Sequence, residues 1–192
     1  MNLWKLIAKF FKLPPTSKMH ERALYAFLSK EDAADFNSID PSGWCPIQRA
    51  IASSNSEIAK LLIHKCKGID LNVSNCYKHT PLTFAIWKEN LKIVEIFIKS
   101  GADVDQEDDK GWTPLTMSLS MGNLEIITFL SKSGANLNLV DSNNWSPILR
   151  AIFEGNMEIL RHLMDLGAQL NLSNCCKNTP LIYAISKCNV GI

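Results

Sequence analysis

The sequence predicts an all-α solenoid, an α-α superhelix with short β-hairpin loops, and three observations predict it. A proline-containing opening recurs at nearly constant spacing, each complete opening leads into two short apolar helices, and polar turns rich in Asp, Asn and Gly separate the helix pairs. The openings are Gly43-Trp44-Cys45-Pro46-Ile47, Lys78-His79-Thr80-Pro81-Leu82, Lys110-Gly111-Trp112-Thr113-Pro114-Leu115, Asn144-Trp145-Ser146-Pro147-Ile148 and Lys177-Asn178-Thr179-Pro180-Leu181. Their prolines stand at 46, 81, 114, 147 and 180, in steps of 35, 33, 33 and 33. A fixed period in this range belongs to a stacked array, in which no unit buries its apolar face without a neighbour.

In chain order, residues 1–15 read as a basic amphipathic N-terminal helix. Lys5, Lys9 and Lys12 define one face, Leu3, Leu6, Ile7, Phe10 and Phe11 cover the other, and Pro14-Pro15 ends the segment. Three roles stay open for it: a cap on the end of the array, a membrane-surface contact through Trp4, Ile7, Phe10 and Phe11, or a partner helix or address signal. Residues 18–42 read as a degenerate first repeat or cap, because Asp35 to Asp40 stands as far ahead of its proline as Asp103 to Asp108 does.

The repeats then run 43–74, 75–107, 108–140 and 141–173, with an incomplete fifth at 174–192. In the second, Thr80 is a good helix N-cap and Pro81 suits the first turn, where its missing N–H costs nothing. Leu82, Ala85 and Ile86 form the stripe of a short helix. A second helix carries Leu91, Ile93, Val94, Phe97 and Ile98 and closes at Gly101, a residue able to adopt the left-handed conformation of a helix end. Gly134 and Gly167 recur at that place, and Asn55, Asn90, Asn123, Asn156 and Asn189 recur between the paired helices, where Asn can cap the second one. Two residues are added near His64 to Gly68, for which a bulge at the end of the second helix is the simplest accommodation. The array stops within the first turn of the fifth unit's second helix, so a fragment or a degenerate terminus is expected.

Composition narrows the partners. Twenty basic residues against nineteen acidic ones leave a net charge of +1, which argues against a nucleic-acid partner. The six cysteines form no C-x-x-C and no zinc-ligand pattern, so they read as structural or bystander thiols in a reducing compartment. No apolar run is long enough to span a bilayer, and no catalytic motif of the P-loop, H-E-x-x-H or G-x-G-x-x-G type occurs. Asp103, Asp105, Glu107, Asp108 and Asp109 lack the spacing of a calcium loop and read as a solvated edge.

These residues resemble the ankyrin repeat: T-P-L openings, a short helix with Ala, a second with Leu, Ile or Val, then G-A-D-V-D or G-A-N-L-N. The resemblance covers about residues 35 to 192. It implies an L-shaped ankyrin repeat stack whose concave hairpin and first-helix surface binds a partner protein. The expectation is a non-catalytic scaffold or adaptor: a cytoplasmic monomer without cofactor, with an unidentified protein partner and no nucleic acid. A peripheral membrane adaptor is the alternative. The His that usually follows T-P-L is replaced by Gln48, Thr83, Thr116, Leu149 and Ile182, which questions the inter-repeat hydrogen bonds associated with it.

On that template the residue two before each proline faces the concave side, giving Trp44, His79, Trp112 and Trp145. The first helix adds Trp87 and Phe153. Two readings stand beside each other, padding of the finger against its neighbour and aromatic anchors of a binding surface. Flanking candidates by position are Tyr77, Lys88, Asp109, Lys110, Met121, Asn143 and Glu154. The resemblance also implies a hydroxylase substrate, since a hairpin Asn lies eight residues after a Leu in the pairs Leu130 and Asn138, and Leu163 and Asn171.

Overall fold

Short helices open where a Pro with its preset backbone angle follows a hydroxyl residue that takes up an orphan N–H. The computed structural model of the chain describes residues 37–40, 43–65, 68–75, 79–108 and 111–186. The helices among them are α1 (Pro46–Ala52), α2 (Ser56–Lys65), α3 (Pro81–Trp87), α4 (Leu91–Lys99), α5 (Pro114–Met121), α6 (Leu124–Lys132), α7 (Pro147–Glu154), α8 (Met157–Asp165) and α9 (Pro180–Ser186). The N-terminal amphipathic helix and most of the degenerate first repeat lie outside the described residues, as do Asn189 and the end of the fifth unit.

Thr80 accepts the Thr83 N–H at 3.1 Å, Thr113 the Thr116 N–H at 3.2 Å and Ser146 the Leu149 N–H at 3.3 Å. The second helices are capped by asparagine. Asn55, Asn90, Asn123 and Asn156 accept the N–H groups of Ile58, Ile93, Ile126 and Ile159 at 3.0 to 3.2 Å. Each such cap is worth about 1 kcal/mol. The helix α2 has 10 residues where α4, α6 and α8 have 9, which takes up part of the first repeat's extra length.

The chain forms two compact units, residues 1–102 and 103–192. In the first, α1 packs on α2 and α3, and α4 packs on α3 and α2. Ile47, Ile51, Leu62, Leu82, Ile86, Ile93 and Phe97 are fully buried there. In the second, α7 packs on α5, α8 and α9, and α5 on α6. Leu115, Leu119, Ile126, Ile127, Leu130, Leu149 and Leu163 form its interior. Each of these side chains stabilises by about 1.5–3 kcal/mol. Within each unit the residues come from the two helices of one repeat and from its neighbour, so the core runs from repeat to repeat inside the unit. On α9, Leu181 and Ile185 are exposed.

The expected hairpin loops contain no strand among the described residues. Each is instead a tight finger closed by an Asp or Asn six residues ahead of the proline. Asp141 is the fullest case. Its Oδ1 accepts the N–H groups of Asn143 and Trp145, both at 2.9 Å. Its backbone N–H donates to the Trp145 carbonyl at 3.2 Å, and its carbonyl accepts the Asn144 N–H at 2.8 Å. The residue after Trp145 is already the helix cap, so no ladder extends. Asp40, Asn75, Asp108 and Asn174 make the same side-chain bond to Trp44, His79, Trp112 and Asn178 at 2.8 to 3.0 Å.

The turn needs a left-handed residue before the aromatic position, filled by Gly43, Gly111, Asn144 and Lys177. At Gly111, with φ +70°, an added Cβ would lie 2.8 Å from the Ser142 backbone nitrogen, so glycine is required there for space as well as angle.

Asp141 also holds Arg150, whose Nη2 donates to Oδ2 at 2.7 Å with the carboxylate side chain only 1% exposed. Replacing Asp141 by Ala is expected to destabilise the fold by about 3 kcal/mol, read from the urea midpoint. Asp141→Asn keeps a side-chain oxygen for the finger N–H groups, as Asn75 and Asn174 do naturally, but loses the charge facing Arg150, and should cost less than Asp141→Ala.

Candidate functional site

The finger closure places one aromatic or amide side chain at a fixed point ahead of each first helix, and what it meets there separates the two aromatic sets. Trp44 is half-buried, edge-on to Phe84 with ring centroids 4.8 Å apart, with the Arg49 guanidinium 5.8 Å from its centre. The Arg49 guanidinium also pairs with Asp40. Trp145 meets Tyr183 edge-on at 5.2 Å and Phe153 at 5.2 Å. Arg150 lies 4.7 Å from the Trp112 ring and 5.2 Å from that of Trp145. In three of these pairs, Trp44 with Phe84, Trp112 with Arg150 and Trp145 with Tyr183, the finger aromatic of one repeat packs against the side chain three residues after the proline of the next. That position carries Phe84, Arg150 and Tyr183.

The aromatics at the ends of the first helices differ. Trp87 is 54% exposed and Phe153 44%. Trp87 stacks on Phe84 at 5.6 Å and 27°, with the Lys88 ammonium 4.3 Å from its ring centre. Each presents an apolar face to solvent while an inner aromatic holds it in place.

A family model described as ankyrin repeats, in three copies, matches residues 17–108, 70–141, 88–174 and 133–192. The chain belongs to the ankyrin repeat family. An ankyrin repeat protein of Rickettsia felis is 31% identical over 83 residues, covering 43% of this chain and 27% of the relative. Alpha-latrotoxin-Lg1a of Latrodectus geometricus is 34% identical over 74 residues, 38% of this chain and 5% of that toxin. The match thus spans a minor part of either curated relative. The crystal structure of the ankyrin repeat domain of Bcl-3, a member of the IkappaB family, superposes with a TM-score of 0.80 at 24% identity over 85% of this chain and 72% of that one. That likeness is one of fold. Ankyrin repeats are generally protein–protein interaction modules and typically non-enzymatic. No helix among the described residues is long and apolar enough to cross a membrane.

His79 is half-buried, and its carbonyl accepts Gln48 Nε2 at 2.7 Å. Gln48 also accepts the Cys45 N–H at 3.3 Å, so it spans two repeats from the place where the family's His is missing. Thr83 and Thr116 instead donate locally, to the carbonyls of Thr80 and Thr113. Lys88, Glu154 and Asn143 are exposed, and Met121 is half-buried at the end of α5. Tyr77, Asp109 and Lys110, like Trp4, Ile7, Phe10 and Phe11, lie outside the described residues.

Asn138 is half-buried and its Oδ1 accepts the Gln169 N–H at 2.8 Å. Asp105 does the same for the Asn136 N–H at 2.9 Å and Asn37 for the Asp70 N–H at 2.7 Å. Asn171, in the same register, is exposed. Neither this polar ladder nor the Asp/Asn finger closure is among the expectations from sequence. Their signal was present as Asn or Asp nine and six residues ahead of the prolines.

Cys45, fully buried at the N-cap of α1, has its thiol pushed up to about 11, chiefly by burial. It therefore stays protonated in the folded state, and alkylation at pH 8 is expected to spare Cys45 until denaturant is added, as peptide mapping would register. For Trp112, removal of the ring that covers Arg150 is expected to lower stability by about 2 kcal/mol in Trp112→Ala, measured by thermal or urea unfolding.

Proposed function

We propose that the chain is a non-catalytic protein-binding scaffold whose anchors are the aromatic side chains ending the first helices, Trp87 with Lys88 and Phe153 with Glu154. The observation that carries this reading is the exposure of Trp87 and Phe153, both six residues after a repeat proline and each resting on an inner aromatic. Large apolar side chains in contact with water lower stability in no obvious way, yet they supply contact area when a partner covers them. Because Phe84 and Trp145 restrict their rotamers, little side-chain entropy is lost on binding.

Of the finger tryptophans, Trp44 packs on Phe84, the ring on which Trp87 rests, Trp145 packs on Phe153, and Trp112 meets Arg150. All three are half-buried, Trp44 and Trp145 in edge-to-face pairs with Phe84, Phe153 and Tyr183 and Trp112 under the Arg150 guanidinium. Both readings of the aromatic columns therefore have a place, with padding carried by the finger set and anchoring assigned to the first-helix set.

The test is affinity capture with the full chain against Trp87→Ala, Phe153→Ala and the double variant, with thermal unfolding of each. Trp87→Ala is expected to weaken capture of the bound protein by about 2 kcal/mol, roughly thirtyfold, with an unfolding midpoint close to that of the parent. A bound set unchanged in the double variant rejects the surface, and a collapse of folding in both single variants reassigns these rings to packing.

A further inference from the structure

The last finger carries two adjacent cysteines where the finger before it carries Ser142 and Asn143. Cys175 and Cys176 occupy the central positions of a turn closed by the Lys177 N–H donating to the Asn174 carbonyl at 2.9 Å. Both thiols are free and exposed, and their sulfurs lie 3.9 Å apart. The backbone beneath them is pinned. The Cys175 N–H donates to the Asn143 carbonyl at 3.1 Å, and the Cys176 N–H to Asn174 Oδ1 at 2.9 Å.

We propose that Cys175 and Cys176 form a reversible vicinal dithiol–disulfide site, oxidised by small disulfides of the glutathione type. A disulfide requires the sulfurs at about 2.05 Å, so side-chain rotation with adjustment of the single intervening peptide must close the gap. The resulting eight-membered ring is constrained, and constrained, exposed disulfides are the readily reduced ones. The site is thus suited to switching rather than to permanent cross-linking.

The chemistry balances without a bound cofactor. The Cys175 thiolate attacks one sulfur of glutathione disulfide, the S–S bond breaks, and a mixed disulfide forms on Cys175 while one glutathione leaves and takes up a proton. Cys176 then gives its proton to solvent and its thiolate attacks Cys175 Sγ, expelling the second glutathione, which is protonated in turn. Two cysteine thiols become one disulfide, and one glutathione disulfide becomes two glutathiones. The hydrogen bond to Cys175, and then the charge of that neighbour, raise the Cys176 thiol above its ordinary value; the steps balance equally with the two cysteines exchanged.

Ring closure resets the backbone of both residues and so disturbs the bond from the Cys175 N–H to the Asn143 carbonyl. Oxidation therefore loosens the last finger from the one before it. The finger tips are the surface that the family resemblance assigns to partners, so the redox state of this pair alters a candidate contact region without touching the first-helix aromatics.

The test uses the full chain and Cys175→Ser, equilibrated with excess glutathione disulfide, quenched in acid and digested with trypsin. The peptide of residues 162–177, between Arg161 and Lys177, contains both cysteines and no other. In the parent it is expected to become about 2 Da lighter than the dithiol and to recover on treatment with dithiothreitol. In Cys175→Ser it should instead carry one glutathione, about 305 Da. A parent peptide that keeps both thiols, accumulates glutathione without ring closure, or links to a second chain overturns the proposal.

Discussion

A finger between two helix pairs must turn its backbone within a few residues while leaving no N–H unpaired, and a single carboxylate or amide oxygen meets that demand. Asp40, Asn75, Asp108, Asp141 and Asn174 each accept the N–H four residues on. That bond fixes the direction in which the chain enters the Cys, Thr or Ser and Pro of the next helix. Everything downstream inherits the placement: the hydroxyl cap, the start of the first helix, and the side chain two residues before the proline. A buried acceptor of this kind is expensive to lose because the donors it serves have no water to turn to.

The same residues join electrostatics to packing where the fold allows it. Asp40 and Asp141 hold Arg49 and Arg150, three residues after their prolines. Arg150 then lies against the Trp112 and Trp145 rings, so its guanidinium is neutralised by a carboxylate and covered by aromatic faces. In the second and fifth repeats that place holds Phe84 and Tyr183, whose contacts with the finger aromatic are edge-to-face, and in the third it holds Met117. A cation and an aromatic ring are thus interchangeable at one position because both are flat and both are attracted to an indole.

Candidate recognition follows from what this packing leaves over. Trp87 and Phe153 stand one helical turn beyond the Phe84 and Arg150 positions, on the next exposed place of the same face. Lys88 adds a charge above the Trp87 ring. The cysteine pair at the last finger tip is independent of that surface, since its geometry comes from a turn and its chemistry from sulfur.

The sequence by itself determined the class of fold, because a period of 33 residues with prolines, asparagine caps and closing glycines leaves a helix-pair array as the consistent reading. Local chemistry was legible in the same way: Thr80 and Asn90 cap helices as their residue types require, since a cap depends only on neighbours in sequence. It could not divide the aromatic columns. Trp112 and Trp87 look alike in composition, and which ring is covered depends on packing: Arg150, about a repeat away, lies over Trp112, whereas Trp87 stays 54% exposed. Tertiary structure also decided that Asp108 is a buried turn anchor rather than a member of a solvated acidic edge, because burial of a carboxylate is set by packing. It brought Gln48 to the His79 carbonyl and Asn138 to the Gln169 N–H, contacts between repeats that no local pattern specifies.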